Sequence, residues 1–179
     1  MSGAEQLIDL RVIGIDPGPT PGIVVLEYAG GQAVGRDVVQ CTSGIAPYLL
    51  GSILDDAVVR TLVQVEKFVV SARSARSSSA GAGAVTRDLV GRLAGEVTDY
   101  GRRHPEVVVE YAQRPAVGVK AWATDDRLTA AGLVDVCKGM RHAKDAARHA
   151  LYAATADGGI RDPLSPHATS QSPTKDVTR

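Results

Sequence analysis

The sequence is poor in aromatic residues and in cysteine. Aromatic side chains make up 4% of the chain, with a single Phe and a single Trp, so aliphatic residues must fill most of the core. The two cysteines, Cys41 and Cys137, are too few for a disulfide framework and lack the spacing of a zinc site. We therefore expect reduced, structural cysteines, as is usual in the cytosol.

Long hydrophobic runs are also missing. No apolar stretch approaches the roughly 18 residues that a membrane-spanning helix needs. The N-terminus has neither the basic region nor the apolar segment of a secretory signal peptide. The sequence therefore predicts a cytoplasmic protein with no membrane partner.

An excess of charge of one sign is absent, because the formal net charge is zero. This weakly disfavours a nucleic-acid-binding protein, since such proteins usually carry a basic surface. The charge is unevenly spread, however: residues 67–92 hold five basic side chains against one Asp, and residues 138–148 hold four Lys and Arg against one Asp. Such segments suit a phosphate backbone, although solvated helices also carry such charges.

Hydrophobic patterning predicts one α/β domain over residues 1–156. Three apolar runs separated by short turns favour antiparallel strands, whereas the later strands alternate with helices and should be parallel. We predict strands at 10–16, 23–28, 33–41, 61–70 and 105–111, and helices at 45–54, 86–100, 121–133 and 141–155. The sequence therefore predicts a mixed five-stranded sheet with helices on both faces.

Two stretches lack apolar periodicity. Residues 71–83 contain only Ser, Ala, Gly and Arg and are predicted to form a loop. From residue 157 onward Gly, Pro, Ser and Thr dominate, so we predict a disordered tail over 157–179.

Acidic residues end two of the predicted interior strands. Asp16 follows an apolar run and precedes a Pro-Gly turn, and Glu66 follows a Val-rich run. A carboxylate in such a place is costly unless a cation or a hydrogen-bond donor meets it. The last helix carries His142 and Asp145, and a spacing of three puts both side chains on one face. We hypothesise that these stretches meet around a divalent metal ion, which prefers oxygen ligands.

Each of these four residues also has a structural interpretation, as a turn-capping aspartate, an exposed strand-end charge or a solvated helix position. Glu110 also lies in a Val-rich strand and is a rival to Glu66 as the second acid. Asp125 and Asp126 fit a helix start better than a metal site.

Three motifs together resemble those of the RuvC-type Holliday-junction resolvases, which belong to the ribonuclease-H-like superfamily. They are Gly14-Ile15-Asp16-Pro17-Gly18 at the end of the first strand, Val65-Glu66 at a later strand end, and His142-x-x-Asp145-Ala146-Ala147 on the last helix. The resemblance covers residues 10–155 and implies a ribonuclease-H-like fold. A compact chain of this kind suits a bacterial or a phage-type member.

The resemblance implies a metal-dependent, structure-selective endonuclease that hydrolyses phosphodiester bonds in branched DNA, leaving a 5′-phosphate and a 3′-hydroxyl. Asp16, Glu66 and Asp145 would bind two Mg²⁺ or Mn²⁺ ions, and His142 would be a fourth catalytic residue. Two such ions about 4 Å apart can clamp the scissile phosphate. The resemblance also implies a homodimer, because symmetric cuts need two sites related by a two-fold axis.

DNA contacts are expected along the segment that follows Glu66. Phe68 is the only Phe in the chain, and the resemblance implies that an aromatic residue near this point stacks on bases; core packing is the alternative. Lys67, Arg73, Arg76 and Arg87 are candidate phosphate contacts.

Two other functions are compatible with parts of the pattern. A nucleotide-binding fragment of the actin-like or sugar-kinase type would need a second phosphate motif, which the sequence lacks. A non-catalytic nucleic-acid-binding relative is disfavoured because acids are present at all three expected positions.

Overall fold

The computed structural model describes residues 7–56, 59–69 and 80–166, with the side chains of residues 80–82 excepted. One sheet has the strand order β3-β2-β1-β4-β5. The strands are β1 (Leu10–Asp16), β2 (Gly22–Ala29), β3 (Gln32–Gln40), β4 (Arg60–Glu66) and β5 (Val109–Arg114). The first three strands pair antiparallel, and β4 and β5 run parallel to β1. The predicted mixed five-stranded sheet is therefore confirmed.

Helices cover both faces of this sheet. They are α1 (Ala46–Asp55), α2 (Ala80–Arg103), α3 (Ala116–Trp122), α4 (Asp125–Ala130) and α5 (Arg141–Ala156). Because side chains alternate along a strand, Val12 points into a core under α5, whereas Ile13 points into a second core under α1 and α2.

Several boundaries differ from the sequence prediction; strand β4, for example, ends at Glu66 rather than at residue 70. Helix α2 begins at Ala80, so the loop predicted over 71–83 is wrong for its last residues, although Gly81 and Gly83 disfavour a helix by propensity alone. Residues 71–79 lie outside the described part. The helix predicted over 121–133 is divided, because Thr124 starts α4 as its N-cap and its side chain accepts from the Arg127 N–H. Strand β5 begins at Val109, after a turn, rather than at residue 105.

Helix α5 approaches β1 and β2 closely at two glycines, Gly14 and Gly22. A Cβ placed on Gly14 would lie 2.2 Å from the carbonyl oxygen of Ala146, and one on Gly22 would lie 2.3 Å from the carbonyl of His142. The buried face of the helix is rich in alanine, at positions Ala143, Ala146, Ala147, Ala150, Ala153 and Ala154. This close contact holds the first turns of α5 beside the end of β1.

Residues 157–166, the first part of the predicted tail, make ion pairs with the domain. Arg114 Nη2 lies 2.7 Å from Asp157 Oδ1, and Arg127 Nη2 lies 2.8 Å from Asp162 Oδ2. These residues are therefore part of the described fold, while the predicted disorder of 167–179 falls outside the described residues.

Within the described ranges, no helix is both long and apolar enough to cross a membrane.

Candidate active site

The four predicted site residues lie at the carboxyl ends of two interior strands, β1 and β4, and on the helix that covers them. Asp16 and Glu66 end β1 and β4, which are parallel neighbours with Ile15 opposite Val65, so the two acids emerge side by side. Helix α5 adds His142 and Asp145 from the face above. The sheet and the helix thus bring together residues that are far apart in the sequence.

Asp16 is held by a direct contact with His142. The Nδ1 atom of His142 lies 2.7 Å from Asp16 Oδ2. The start of α5 is fixed in turn by β3, since Gln40 Oε1 accepts from the backbone N–H groups of His142 at 2.9 Å and of Ala143 at 3.2 Å. Gln40 therefore supplies the cap that Met140, at the helix N-cap, does not provide through its own side chain.

The pKa values of Asp16 and Asp145 are shifted in opposite directions. Burial raises the pKa of Asp16; the hydrogen bond with His142 opposes this, and the negative charges of Glu66 and Asp145 add to it. Burial also opposes ionisation of Asp145, but hydrogen bonds and charges from Lys120 and Arg148 outweigh it and lower the pKa of Asp145. Asp16 therefore lies within electrostatic reach of both Glu66 and Asp145.

Two basic side chains that the sequence analysis did not identify neutralise these acids. Lys120 Nζ, on α3, lies 3.0 Å from Asp145 Oδ2 and 3.8 Å from Glu66 Oε2. Arg148 Nη1 lies 2.5 Å from Asp145 Oδ1, and its Nη2 lies 2.6 Å from Asp125 Oδ1. The spacing of three between Asp145 and Arg148 was a signal for this pair, whereas nothing local marks Lys120.

The acids have the right ligand atoms for a divalent ion, but their arrangement in the described part of the chain does not form a complete metal site. Carboxylate oxygens are the donors that Mg²⁺ prefers, and the buried Glu66 Oε2 has no hydrogen-bond partner among the described residues. Over the same residues, however, no group of three or more His, Cys, Asp or Glu side chains is placed to hold a metal ion. Lys120 would have to move away for Glu66 and Asp145 to share one.

The rival acids do not join the site. Glu110 pairs with Arg60 at 2.8 Å and lies opposite Leu62, four residues before Glu66 and therefore about 13 Å along the strand. Asp125 lies in the first turn of α4, where it pairs with Lys144 at 2.9 Å. Its role as a helix-start residue fits the structure.

The predicted DNA contacts are only partly within the described residues. Lys67 and Arg87 are exposed, Lys67 just after β4 and Arg87 on α2. Phe68 is half-buried, with its ring 3.4 Å from the position of a Cβ on Gly83. Arg73 and Arg76 lie outside the described residues, so the structure does not place them.

No protein-family model matches the sequence, and no curated protein sequence is significantly similar to it. Among solved structures, Thermus thermophilus RuvC in complex with a Holliday junction substrate is similar, with a TM-score of 0.51 and 22% sequence identity. The match covers 86% of this chain and 99% of the RuvC chain. The similarity shows that this chain has the ribonuclease-H-like fold found in RuvC.

Proposed function

We propose that this protein is a metal-dependent endonuclease that cuts branched DNA. The observation that supports the proposal is that Asp16 and Glu66 end neighbouring parallel strands of a ribonuclease-H-like sheet, with Asp145 linked to Glu66 through Lys120. The substrate class is taken from the structural neighbour, which is bound to a Holliday junction. Resolution of four-way junctions is the specific reaction that this combination favours.

The four site residues and Lys120 have different roles in the proposed reaction. Asp16, Glu66 and Asp145 would bind the metal ions, and His142 orients Asp16 through their 2.7 Å contact. Two bound Mg²⁺ or Mn²⁺ ions would supply an activated water and stabilise the leaving oxygen, giving a 5′-phosphate and a 3′-hydroxyl. Lys120 is positioned to neutralise Glu66 and Asp145 before a metal ion binds. Once Lys120 is displaced from these acids, its ammonium group would be available to a phosphate oxygen of the DNA.

Partners are proposed on the same basis. Symmetric cutting of a junction needs two active sites, so we propose a homodimer. Lys67 and Arg87 are exposed and would contact the DNA backbone, with Phe68 as the stacking residue. Arg73 and Arg76 complete the proposed set of phosphate contacts.

The test is cleavage of labelled four-way junction, fork and linear duplex with Mg²⁺ or Mn²⁺. We expect the wild type to cut the junction fastest, and Asp16→Asn and Asp145→Asn to bind it without cutting. Junction cleavage that survives Asp16→Asn would overturn the assigned site. Binding without cleavage by the wild type would favour a non-catalytic relative, a function in which Lys120 and Arg148 keep the acids permanently neutralised.

A further inference from the structure

A line of polar side chains runs through the domain and ends at Glu66. Asp157 Oδ1 accepts from Arg114 Nη2 at 2.7 Å, and Arg114 Nε donates to Gln64 Oε1 at 3.1 Å. Gln64 Nε2 lies 3.4 Å from His149 Nδ1, and His149 Nε2 lies 3.4 Å from Glu66 Oε2. Gln64 and His149 are fully buried, so this line passes through the interior between α5 and the sheet.

The direction of the hydrogen bonds along this line is determined by Arg114. A guanidinium can only donate, so it must face the oxygen of the Gln64 side chain. The amide nitrogen of Gln64 then faces His149, and because this nitrogen can only donate, Nδ1 of His149 must accept. A neutral imidazole that accepts at Nδ1 carries its proton at Nε2.

The Nε2–H group faces the carboxylate of Glu66. Neither His149 Nε2 nor Glu66 Oε2 has another hydrogen-bond partner among the described residues, and both atoms are buried. A buried donor and a buried acceptor that face each other at 3.4 Å and lack other hydrogen-bond partners within the described ranges are complementary. A small turn of either side chain would complete the hydrogen bond.

We propose that His149 is a positioning residue, which donates its Nε2–H to Glu66 and holds this carboxylate in place from the interior. Burying an imidazole in an apolar core is unfavourable compared with an aliphatic side chain, unless its two nitrogens are used. Here Gln64 uses Nδ1, and Glu66 is the acceptor that Nε2 faces. The effect of this contact on cleavage rests on the proposed function, whereas the contact itself does not.

The first test reads the tautomer of His149 directly. We expect ¹⁵N NMR of the full chain to show a protonated Nε2 and an unprotonated Nδ1 at His149. Gln64→Glu, which keeps the size of the side chain but replaces the donor by an acceptor, should place a proton on Nδ1. A wild-type His149 protonated at Nδ1 would overturn the proposal, as would a tautomer that Gln64→Glu leaves unchanged.

The second test separates positioning from packing. His149→Leu keeps most of the volume and removes the donor, and His149→Gln keeps an N–H donor. Residues that orient metal ligands in this way are typically worth roughly 10–100-fold in activity. We expect His149→Leu to lower the kcat of junction cleavage by about that factor with little change in KM, and His149→Gln to recover part of it. His104→Leu, at a ring that contacts Glu106 away from the site, is the control.

The outcomes distinguish the two proposals. If His149→Leu melts like the wild type and cuts equally fast, His149 is not a positioning residue. If His149→Leu fails to fold, the tautomer of wild-type His149 decides the proposal, and protonation at Nδ1 alone contradicts the role. If the wild type itself does not cut DNA, the proposed function fails, and the tautomer measurement still decides whether His149 donates to Glu66.

Discussion

The ammonium of Lys120 stands between Glu66 and Asp145, 3.8 Å from one carboxylate and 3.0 Å from the other. A lysine in this place offsets the repulsion between acids that the sheet and α5 force together. A metal ion shared by these two acids would need the position that Lys120 occupies, so such an ion would compete with the Lys120 contacts. The competition gives a prediction about affinity that does not depend on cleavage.

Removing Lys120 should strengthen metal binding. We expect Lys120→Met to bind Mg²⁺ about fivefold more tightly than the wild type, since the loss of one partly exposed ion pair corresponds to about 1 kcal/mol. Isothermal titration calorimetry measures this directly. Lys144→Met, which removes an ion pair with Asp125, is the matched control and should leave the affinity unchanged. Weaker binding by Lys120→Met would show that Lys120 does not compete with the metal ion.

The contact between β1 and α5 should not tolerate one added methyl group. A Cβ on Gly14 would overlap the Ala146 carbonyl oxygen at 2.2 Å and the Ala150 nitrogen at 2.5 Å, and these backbone atoms cannot turn aside. We expect Gly14→Ala to lower the free energy of unfolding by about 3 kcal/mol or more, measured by urea denaturation. Gly91→Ala, at an exposed position in α2 with nothing within 4 Å, should raise it by roughly 0.5–1 kcal/mol. Equal stability of the two variants would contradict the packing described for α5.

The pair between Arg127 and Asp162 should make stability depend on pH. The hydrogen bond from Arg127, supported by its charge and by the Leu164 N–H, lowers the pKa of Asp162 below its ordinary value of 3.8 despite some burial. A carboxylate whose folded pKa is lowered stabilises the fold above pH 3.8, and this stabilisation is lost as the pH falls through the folded pKa.

Asp162→Asn should therefore be less stable than the wild type at neutral pH, by about 1 kcal/mol. The difference should shrink in urea denaturation curves recorded at pH values below 3.8. A difference that stays constant with pH would show that the ion pair does not hold residues 157–166 on the domain.

Arg87 should contribute one phosphate contact if α2 lies along the DNA. We expect Arg87→Ala to reduce the slope of log affinity against log salt concentration by about 1, measured by fluorescence anisotropy with a four-way junction. Arg102→Ala removes a similarly exposed charge about 22 Å further along the same helix and should leave the slope unchanged. An unchanged slope for Arg87→Ala would exclude this residue from the interface.

The sequence was sufficient for the sheet because β1, β2 and β4 are apolar runs, and it was sufficient for α5 because that helix has clear spacing; the weakly patterned segment 121–133 was predicted less well. Asp16 and Glu66 could be identified because each ends a buried strand, and His142 and Asp145 because they share a helix face. Lys120 could not be found in this way, since its contacts with Glu66 and Asp145 depend on how α3 packs against α5.

The roles of His149 and Gln64 could not be predicted from the sequence, for a different reason. His149 follows His142 by seven positions and so lies on the same face of α5, which is a signal that the sequence does contain. Its meaning depends on Gln64 and Arg114, which come from two other strands, and on the hydrogen bonds that only the folded chain brings together. Local patterns identify candidate residues, and the direction of a hydrogen-bond network needs the structure.

The most direct test of the proposed nuclease site compares two glutamates from neighbouring strands. Glu66 ends β4 beside Asp16, whereas Glu110 pairs with Arg60 away from the site. We predict that Glu66→Gln abolishes Mg²⁺-dependent cleavage of a labelled four-way junction, while Glu110→Gln cuts at the wild-type rate. Cleavage that survives in Glu66→Gln and is lost in Glu110→Gln would contradict the site described here.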